Sequence, residues 1–414
     1  MEPTRMYEGV SRVYGASTTG ARGRNEDHCG GVTFGKYRFI ALGDGHNGQE
    51  AAICVIDAFV GNMQAFLHRA GGEFSFCDAL RTQYDLALEH WDRNYPTSKS
   101  GTTVSAVLID LATGEGATLN VGDSMILVVK EKEGCMSDGP LSSNSREVVS
   151  STNVHDFSSD FELERYNNAF SVHGLRVERV RRRDAHPSEE RYLAKLVTGP
   201  VENSVTRCEL PCEPSRTVEA ACGVSAIGQT LMQLQREPEM QQFRLLPGET
   251  YHVFACCDGF VSKKAIPTMD RLASLLCAPL QYMRSAAFFT QGTVFEQWRQ
   301  SKPTWWSPFP THKRTAYDVS KEAGLSDFEV QAARVRHIAP DEGWRKAVDK
   351  ATHVVRCMHH CSSDEHDVTM RNRPLDAVQT SVEIPVLLGG DDNVSVVSCT
   401  VTMPGASVSC IVPA

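Results

Sequence analysis

Three apolar segments of the chain each meet an aspartate at one end. Asp44 follows Phe39-Ile40-Ala41-Leu42-Gly43, Asp258 follows the run Val253 to Cys257, and Asp392 precedes Asn393 where the segment Val394 to Val401 begins. Glu26 and Asp27 form an adjacent acidic pair, and Asp123 sits in Asn-Val-Gly-Asp-Ser between two more apolar segments. Taken singly, Asp-Gly and Asp-Asn pairs are ordinary turn chemistry. Brought together at strand ends they form a charge problem, because two like charges about 4 Å apart repel by about 4 kcal/mol at an effective dielectric of about 20. Hard divalent cations resolve it. Mg²⁺ or Mn²⁺ suits carboxylates and a backbone carbonyl, whereas zinc favours thiolates and imidazoles. Two such ions roughly 3.5 to 4 Å apart can share a water, lower its pKa toward neutrality and aim it in line at phosphorus. The chemistry indicated is phosphoester hydrolysis.

The elements that must hold these residues are mostly strands. Tyr37 to Leu42, Thr103 to Ile109, Ala117 to Val121, Met125 to Val129, Tyr251 to Cys257 and Val394 to Val401 are short and rich in β-branched or aromatic residues. Two helices are expected after the first of them: Ile53, Ile56, Val60, Met63 and Leu67 recur at three- and four-residue spacing, as do Phe76, Leu80, Tyr84, Ala87 and Trp91. The Gly71-Gly72 break between them suits an antiparallel pair laid over a sheet. A further helix is expected over Glu342 to Met358. Two stretches read as insertions into one framework that spans residues 1–414. The first, 131–213, is polar with a basic cluster at Arg179, Arg181, Arg182 and Arg183 that reads as a solvated face. The second, 264–382, carries Phe288, Phe289, Trp298, Trp305 and Trp306 amid prolines and reads as an aromatic-packed subdomain.

Composition narrows the partners. The 414 residues are 41% hydrophobic and 22% charged, enough for a sizeable core, and the net charge of -9 opposes general affinity for nucleic acid or anionic membrane. No N-terminal signal-like stretch and no uninterrupted apolar run of membrane-spanning length is read, so the expected location is cytoplasmic, with the nucleus left open. The 14 cysteines are scattered and read as reduced core thiols. Cys208 with Cys212, and Cys357 with His359, His360 and Cys361, have zinc-like spacing but lie too far apart to read as one site. Cys256 and Cys257 precede Asp258, and strand alternation puts one thiol on the carboxylate's face, where oxidation would disturb the site.

Taken in chain order, the motifs resemble those of the metal-dependent serine/threonine protein phosphatases of type 2C. Arg22-Gly23-Arg24-Asn25-Glu26-Asp27 is similar to that family's R-x-x-x-E-D, Asp44-Gly45-His46-Asn47-Gly48 to its D-G-H-G-G, and Ser100-Gly101-Thr102-Thr103 to its S-G-S/T-T. Asn120-Val121-Gly122-Asp123-Ser124, Cys257-Asp258-Gly259 and Asp392-Asn393 are similar to its later motifs. The resemblance implies an α+β fold: a central β-sandwich of two antiparallel sheets flanked by helices on both faces. It implies two Mg²⁺ or Mn²⁺ ions and a weaker third. Asp44 would bridge the pair, the Gly45 carbonyl would bind one, Asp258 and Asp392 the other, and Asp123 the third. Glu26 and Asp27 would hold metal-bound waters, Arg22 would grip the substrate phosphate as a fork, and His46 would be the general acid for the leaving oxygen. Phosphoprotein substrates and a monomer are expected.

The sequence departs from the pattern in three places. Asn47 replaces a glycine, Met125 stands where an arginine often follows the aspartate and serine, and Gly223 to Gln229 lacks the arginine and final aspartate of the family's V-S-R-A-L-G-D. Two rival readings follow. A pseudophosphatase would keep the fold as a regulatory scaffold and lose ligands, yet each acidic position named here is Asp or Glu. A two-metal nuclease would use similar carboxylates but would need a basic channel that this acidic chain does not show.

Overall fold

The computed structural model describes residues 7–8, 13–18, 24–70, 73–131, 146–155, 159–181, 192–198, 205–210, 226–261, 272–273, 276–277, 382 and 392–404. The described strands are β1 (Tyr7–Glu8), β2 (Val13–Thr18), β3 (His28–Phe34), β4 (Tyr37–Gly43), β5 (Gly45–His46), β6 (Gly101–Thr102), β7 (Val104–Asp110), β8 (Glu115–Val121), β9 (Met125–Glu131), β10 (Arg146–Ser151), β11 (Arg176–Arg181), β12 (Tyr192–Thr198), β13 (Val205–Leu210), β14 (Glu239–Arg244), β15 (Thr250–Cys256) and β16 (Val394–Thr402). Among them stand helices α1 (Glu50–Arg69), α2 (Phe76–Asn94), α3 (Asp160–Ser171), α4 (Ala226–Arg236) and the short α5 (Asp258–Val261).

Two antiparallel sheets carry the fold. One runs β1-β2-β16-β15-β9-β10 and the other β14-β8-β7-β4-β3. Alternation along each strand sorts its side chains between two cores. In β4, Ile40 and Leu42 face the space between the sheets with Val107, Ile126, Val128, Val253 and Val397. Phe39 and Ala41 face the other way, toward Val55, Phe59 and Met63 of α1 and Tyr84 and Trp91 of α2. Burial of each such large side chain is worth roughly 1.5 to 3 kcal/mol. All six strands expected from the sequence form, with ends shifted by no more than a few residues.

Both predicted helices form as well. Ser75 caps α2 by accepting from the Asp78 amide at 3.2 Å. By length and composition α1 would pass as a membrane-spanning helix, although Asp57, Asn62 and Gln64 interrupt its apolar run. Its buried stripe instead packs on the five-stranded sheet.

The stretch 131–213 holds two kinds of structure. β10 pairs with β9 and extends the six-stranded sheet. β11, β12 and β13 form a separate antiparallel sheet, with α3 and α4 contributing Tyr166, Phe170, Leu231 and Leu234 to its own small core. Arg179 is not simply solvated: it is half-buried and pairs with Asp160 at 2.9 Å. α4 is tied to α2 by Arg236 to Asp92 at 2.7 Å, and the following Glu237 pairs with Arg81 at 2.7 Å. The aromatic cluster Phe288 to Trp306, the helix expected over Glu342 to Met358, Cys212, the Cys357 group, Arg182, Arg183 and Arg22 lie outside the described residues.

Candidate metal centre

Antiparallel pairing explains why distant aspartates meet. β3 and β4 pair with His28 opposite Gly43, so Asp27, just before β3, lies beside Asp44, just after β4. In the facing sheet, Cys256 pairs with Val396 on one side and Met125 on the other. The end of β15 thus places Asp258 beside Asp392 and Asn393, which precede β16, and beside Asp123, which precedes β9. All five aspartates gather at one end of the sandwich.

The loops around them are held by named contacts. The Asp44 amide donates to Thr103 Oγ1 at 3.0 Å, and the Thr103 amide donates to the Asp44 carbonyl at 2.9 Å. Thr103 Oγ1 also shares a hydrogen bond with Ser124 Oγ at 2.7 Å, next to Asp123. Asn393 clamps the opposite side, accepting from the Glu26 amide at 3.0 Å and donating to the Arg24 carbonyl at 2.8 Å. Gly45 is buried opposite Thr102 in the two-stranded β5-β6 ribbon. A Cβ at Gly45 would lie 2.2 Å from the Glu26 carbonyl oxygen, so the Glu-Asp and Asp-Gly motifs approach too closely for a larger residue. Asn47 adopts φ 55, the left-handed conformation that asparagine tolerates, and so does what the replaced glycine would do.

Two expected site residues have particular settings. Glu26 turns its Oε1 to the Gly48 amide at 2.7 Å, which bolts the acidic pair to the Asp44 loop. His46 Nδ1 meets Asn47 Nδ2 at 2.9 Å. An amide NH₂ only donates, so Nδ1 accepts and the ring's proton sits on Nε2. Nε2 in turn packs against Gly101, where a Cβ would come within 2.1 Å. The Ser-Gly-Thr-Thr motif is therefore the seat of His46 and the brace of Asp44.

Electrostatics sets this end of the molecule apart. Both side-chain oxygens of Asp27, and Oδ1 of Asp258, are buried without a hydrogen-bond partner among the described residues. The Ser395 hydroxyl near Asp27 donates to Ser17 Oγ at 2.5 Å. Burial, with the Asp392 charge behind it, pushes Asp27 up to about 6. Burial and then Asp27, Asp258, Asp123 and Asp392 hold Asp44 well above the usual carboxylate range. Burial, Asp123 and Asp392 do the same for Asp258. Buried and half-buried carboxylates that raise one another's pKa, with oxygens that lack donors, fit a cation site. An oxygen of Asp27, an oxygen of Asp44 and Cys257 Sγ all lie within 4.8 Å of one another.

Of the two adjacent cysteines, Cys257 is the one on the carboxylate side. Its sulfur accepts from the Ser395 amide at 3.1 Å. Burial and the charges of Asp27, Asp44 and Asp258 push the thiol well above its ordinary range. The expected oxidation is therefore opposed, since the thiolate is the reactive form.

Sequence reading missed His155 and Glu239. His155 is fully buried, and its Nδ1 accepts from the Gly122 amide at 3.4 Å while its own amide donates to the Gly122 carbonyl at 3.1 Å. Its Nε2 faces Glu239 Oε2 at 3.2 Å. Glu239 also accepts from the Asn153 amide at 3.1 Å and from Gln241 Nε2 at 2.5 Å. Burial alone would raise this carboxyl, but the hydrogen bonds from His155 and Gln241 outweigh it and hold Glu239 below its usual range. The pair thus braces the turn that presents Asp123. Its members lie 84 residues apart, and no local pattern links them.

No protein-family model and no curated protein matches the sequence. Solved structures similar to the chain include a Caenorhabditis elegans sex determining protein, at 15% identity and TM-score 0.49, over 94% of this chain and 64% of that one. The chain therefore spans less than two thirds of that protein's structure. A serine-threonine phosphatase 2C from Toxoplasma gondii is similar at 12% identity and TM-score 0.44, over 97% and 99% of the two chains. So is the PPM Ser-Thr phosphatase MsPP from Mycobacterium smegmatis, in complex with cacodylate, at 15% identity and TM-score 0.41, over 95% and 99%. Site chemistry, rather than these likenesses, carries the functional conclusion. Two of the structures that this chain is similar to are thus named as PPM-type or type 2C serine/threonine phosphatases, and the chain's own fold is α+β, built on two antiparallel sheets.

Proposed function

We propose that the chain hydrolyses phosphoserine and phosphothreonine esters on proteins, with Mg²⁺ or Mn²⁺ held by Asp44, Asp258 and Asp392, and with Asp27 and Asp123 beside them. The observation that carries this reading is the carboxylate cluster at the end of the sandwich, Asp27 buried and Asp44, Asp123, Asp258 and Asp392 half-buried, with oxygens of Asp27 and Asp258 lacking hydrogen-bond partners among the described residues. Divalent ions bound there supply Lewis acidity toward phosphoryl oxygens and activation of a water.

The chain's own residues supply position. Thr103 and Asn393 fix the loops that carry Asp44, Glu26 and Asp392. Glu26 holds the Asp44 loop through Gly48. His46 is the donor for the departing serine or threonine oxygen from Nε2 once Nδ1 also carries a proton, with Asn47 turning its amide oxygen to that nitrogen, and the ring must leave its seat on Gly101. Arg22 fits the role of phosphate fork by its chemistry.

Phosphate release from a phosphothreonine peptide, with Mn²⁺, with Mg²⁺ and with chelator, is the test. Release that needs metal, without cleavage of nucleic acid in the same buffer, supports the proposal. A folded chain that releases nothing across neutral pH would turn the reading to a regulatory scaffold.

A further inference from the structure

α1 and α2 lie side by side and antiparallel, and a groove of about 630 Å³ runs between them on the protein surface. Its near end, at Gln49 and Glu50, adjoins the loop that carries Asp44. Glu50, at its near end, places its carboxylate over Gly48, where a Cβ would lie 2.1 Å from Glu50 Oε2, and Gly48 is the residue bonded to Glu26. At the far end, Asn62 Nδ2 reaches the Gln83 carbonyl at 3.5 Å. From Gln49 to Asn62 the helix rises about 20 Å, which an extended chain covers in about six residues.

We propose that this groove docks a basic segment that flanks the phosphoresidue in the substrate protein. The inference rests on the phosphatase reading and names a substrate class for it. Three features match an arginine or lysine side chain. Glu50, Asp57 and Glu89 line the groove against the single arginine, Arg93. Glu50 and Glu89 are exposed, and among the described residues neither forms an ion pair. The apolar floor at Ile53 and Ala58 and the rim at Leu86, 44% exposed, suit the aliphatic stem of a long cationic side chain. Tyr95, 43% exposed, stacks on Trp91 at 4.6 Å and 18°, and this fixes the ring for a cation to approach its open face.

The test compares three fluorescein-labelled phosphothreonine peptides, with basic, neutral or acidic residues within about six positions of the phosphate. They are assayed for turnover by the natural chain and by Glu89→Lys, with p-nitrophenyl phosphate as the small substrate. The natural chain should favour the basic peptide about five- to tenfold in kcat/KM, mainly through KM, and the preference should shrink at high salt. Glu89→Lys should abolish the preference and leave p-nitrophenyl phosphate turnover unchanged. Equal handling of all three peptides by the natural chain, a preference for the acidic one, or an equal loss on every substrate in the variant overturns the proposal. Fluorescence anisotropy of the same peptides needs no turnover. Selective binding of the basic peptide by a chain that releases no phosphate keeps the groove and sinks the phosphatase reading; release without selectivity sinks the groove alone.

Discussion

Asp27 has both carboxyl oxygens buried and unbonded among the described residues, beside other carboxylates. Its folded pKa of about 6 stands above the ordinary aspartate value of 3.8. Between these values the folded chain binds the extra proton, so its stabilising effect is complete below about 3.8 and is lost as pH rises through about 6. Metal-free protein is therefore expected to melt at a higher temperature near pH 5 than near pH 7.5, and Asp27→Asn should flatten that dependence; a profile unchanged by the substitution would contradict the assignment. His46 is tested by leaving group. Replacement by Gln should lower turnover of a phosphothreonine peptide about 100-fold, with little effect on p-nitrophenyl phosphate, whose leaving group departs without a proton. An equal loss on both substrates would assign His46 to structure.

At the level of elements, the site was legible because three apolar runs each meet an aspartate at one end. Period-two burial, with Ile40 and Leu42 on one face and Phe39 and Ala41 on the other, then explains the sheet that α1 and α2 cover. What was not legible depends on contacts remote in sequence. β10 reads as part of a polar insertion, yet its partner is β9. The brace of Asp123 joins His155 to Glu239, which opens β14. Replacing His155 by Ala would strip buried partners from Glu239 and the Gly122 amide, at a cost of roughly 1 to 3 kcal/mol. The melting temperature should fall, and the Mn²⁺ concentration for half-maximal phosphate release should rise. A lower melting temperature with unchanged Mn²⁺ dependence would show that the brace acts on folding alone.

On the scale of the molecule, a well-packed sandwich imposes the unfavourable gathering of like charges at its end. The two cores, with Phe59, Tyr84 and Trp91 on one side and Val128, Val253 and Val397 on the other, supply the rigidity that keeps repelling carboxylates together. Stability is given up at the site for function, so a substitution that removes one charge should stabilise the metal-free protein while disabling it. Phosphate release from a phosphothreonine peptide in Mn²⁺ by the natural chain, Asp44→Asn and Asp258→Asn, each first melted without metal, tests this directly. The account predicts that both variants melt at or above the natural temperature and lose at least about 100-fold in turnover. Variants that fold as well as the natural chain and keep its metal-dependent turnover would contradict it.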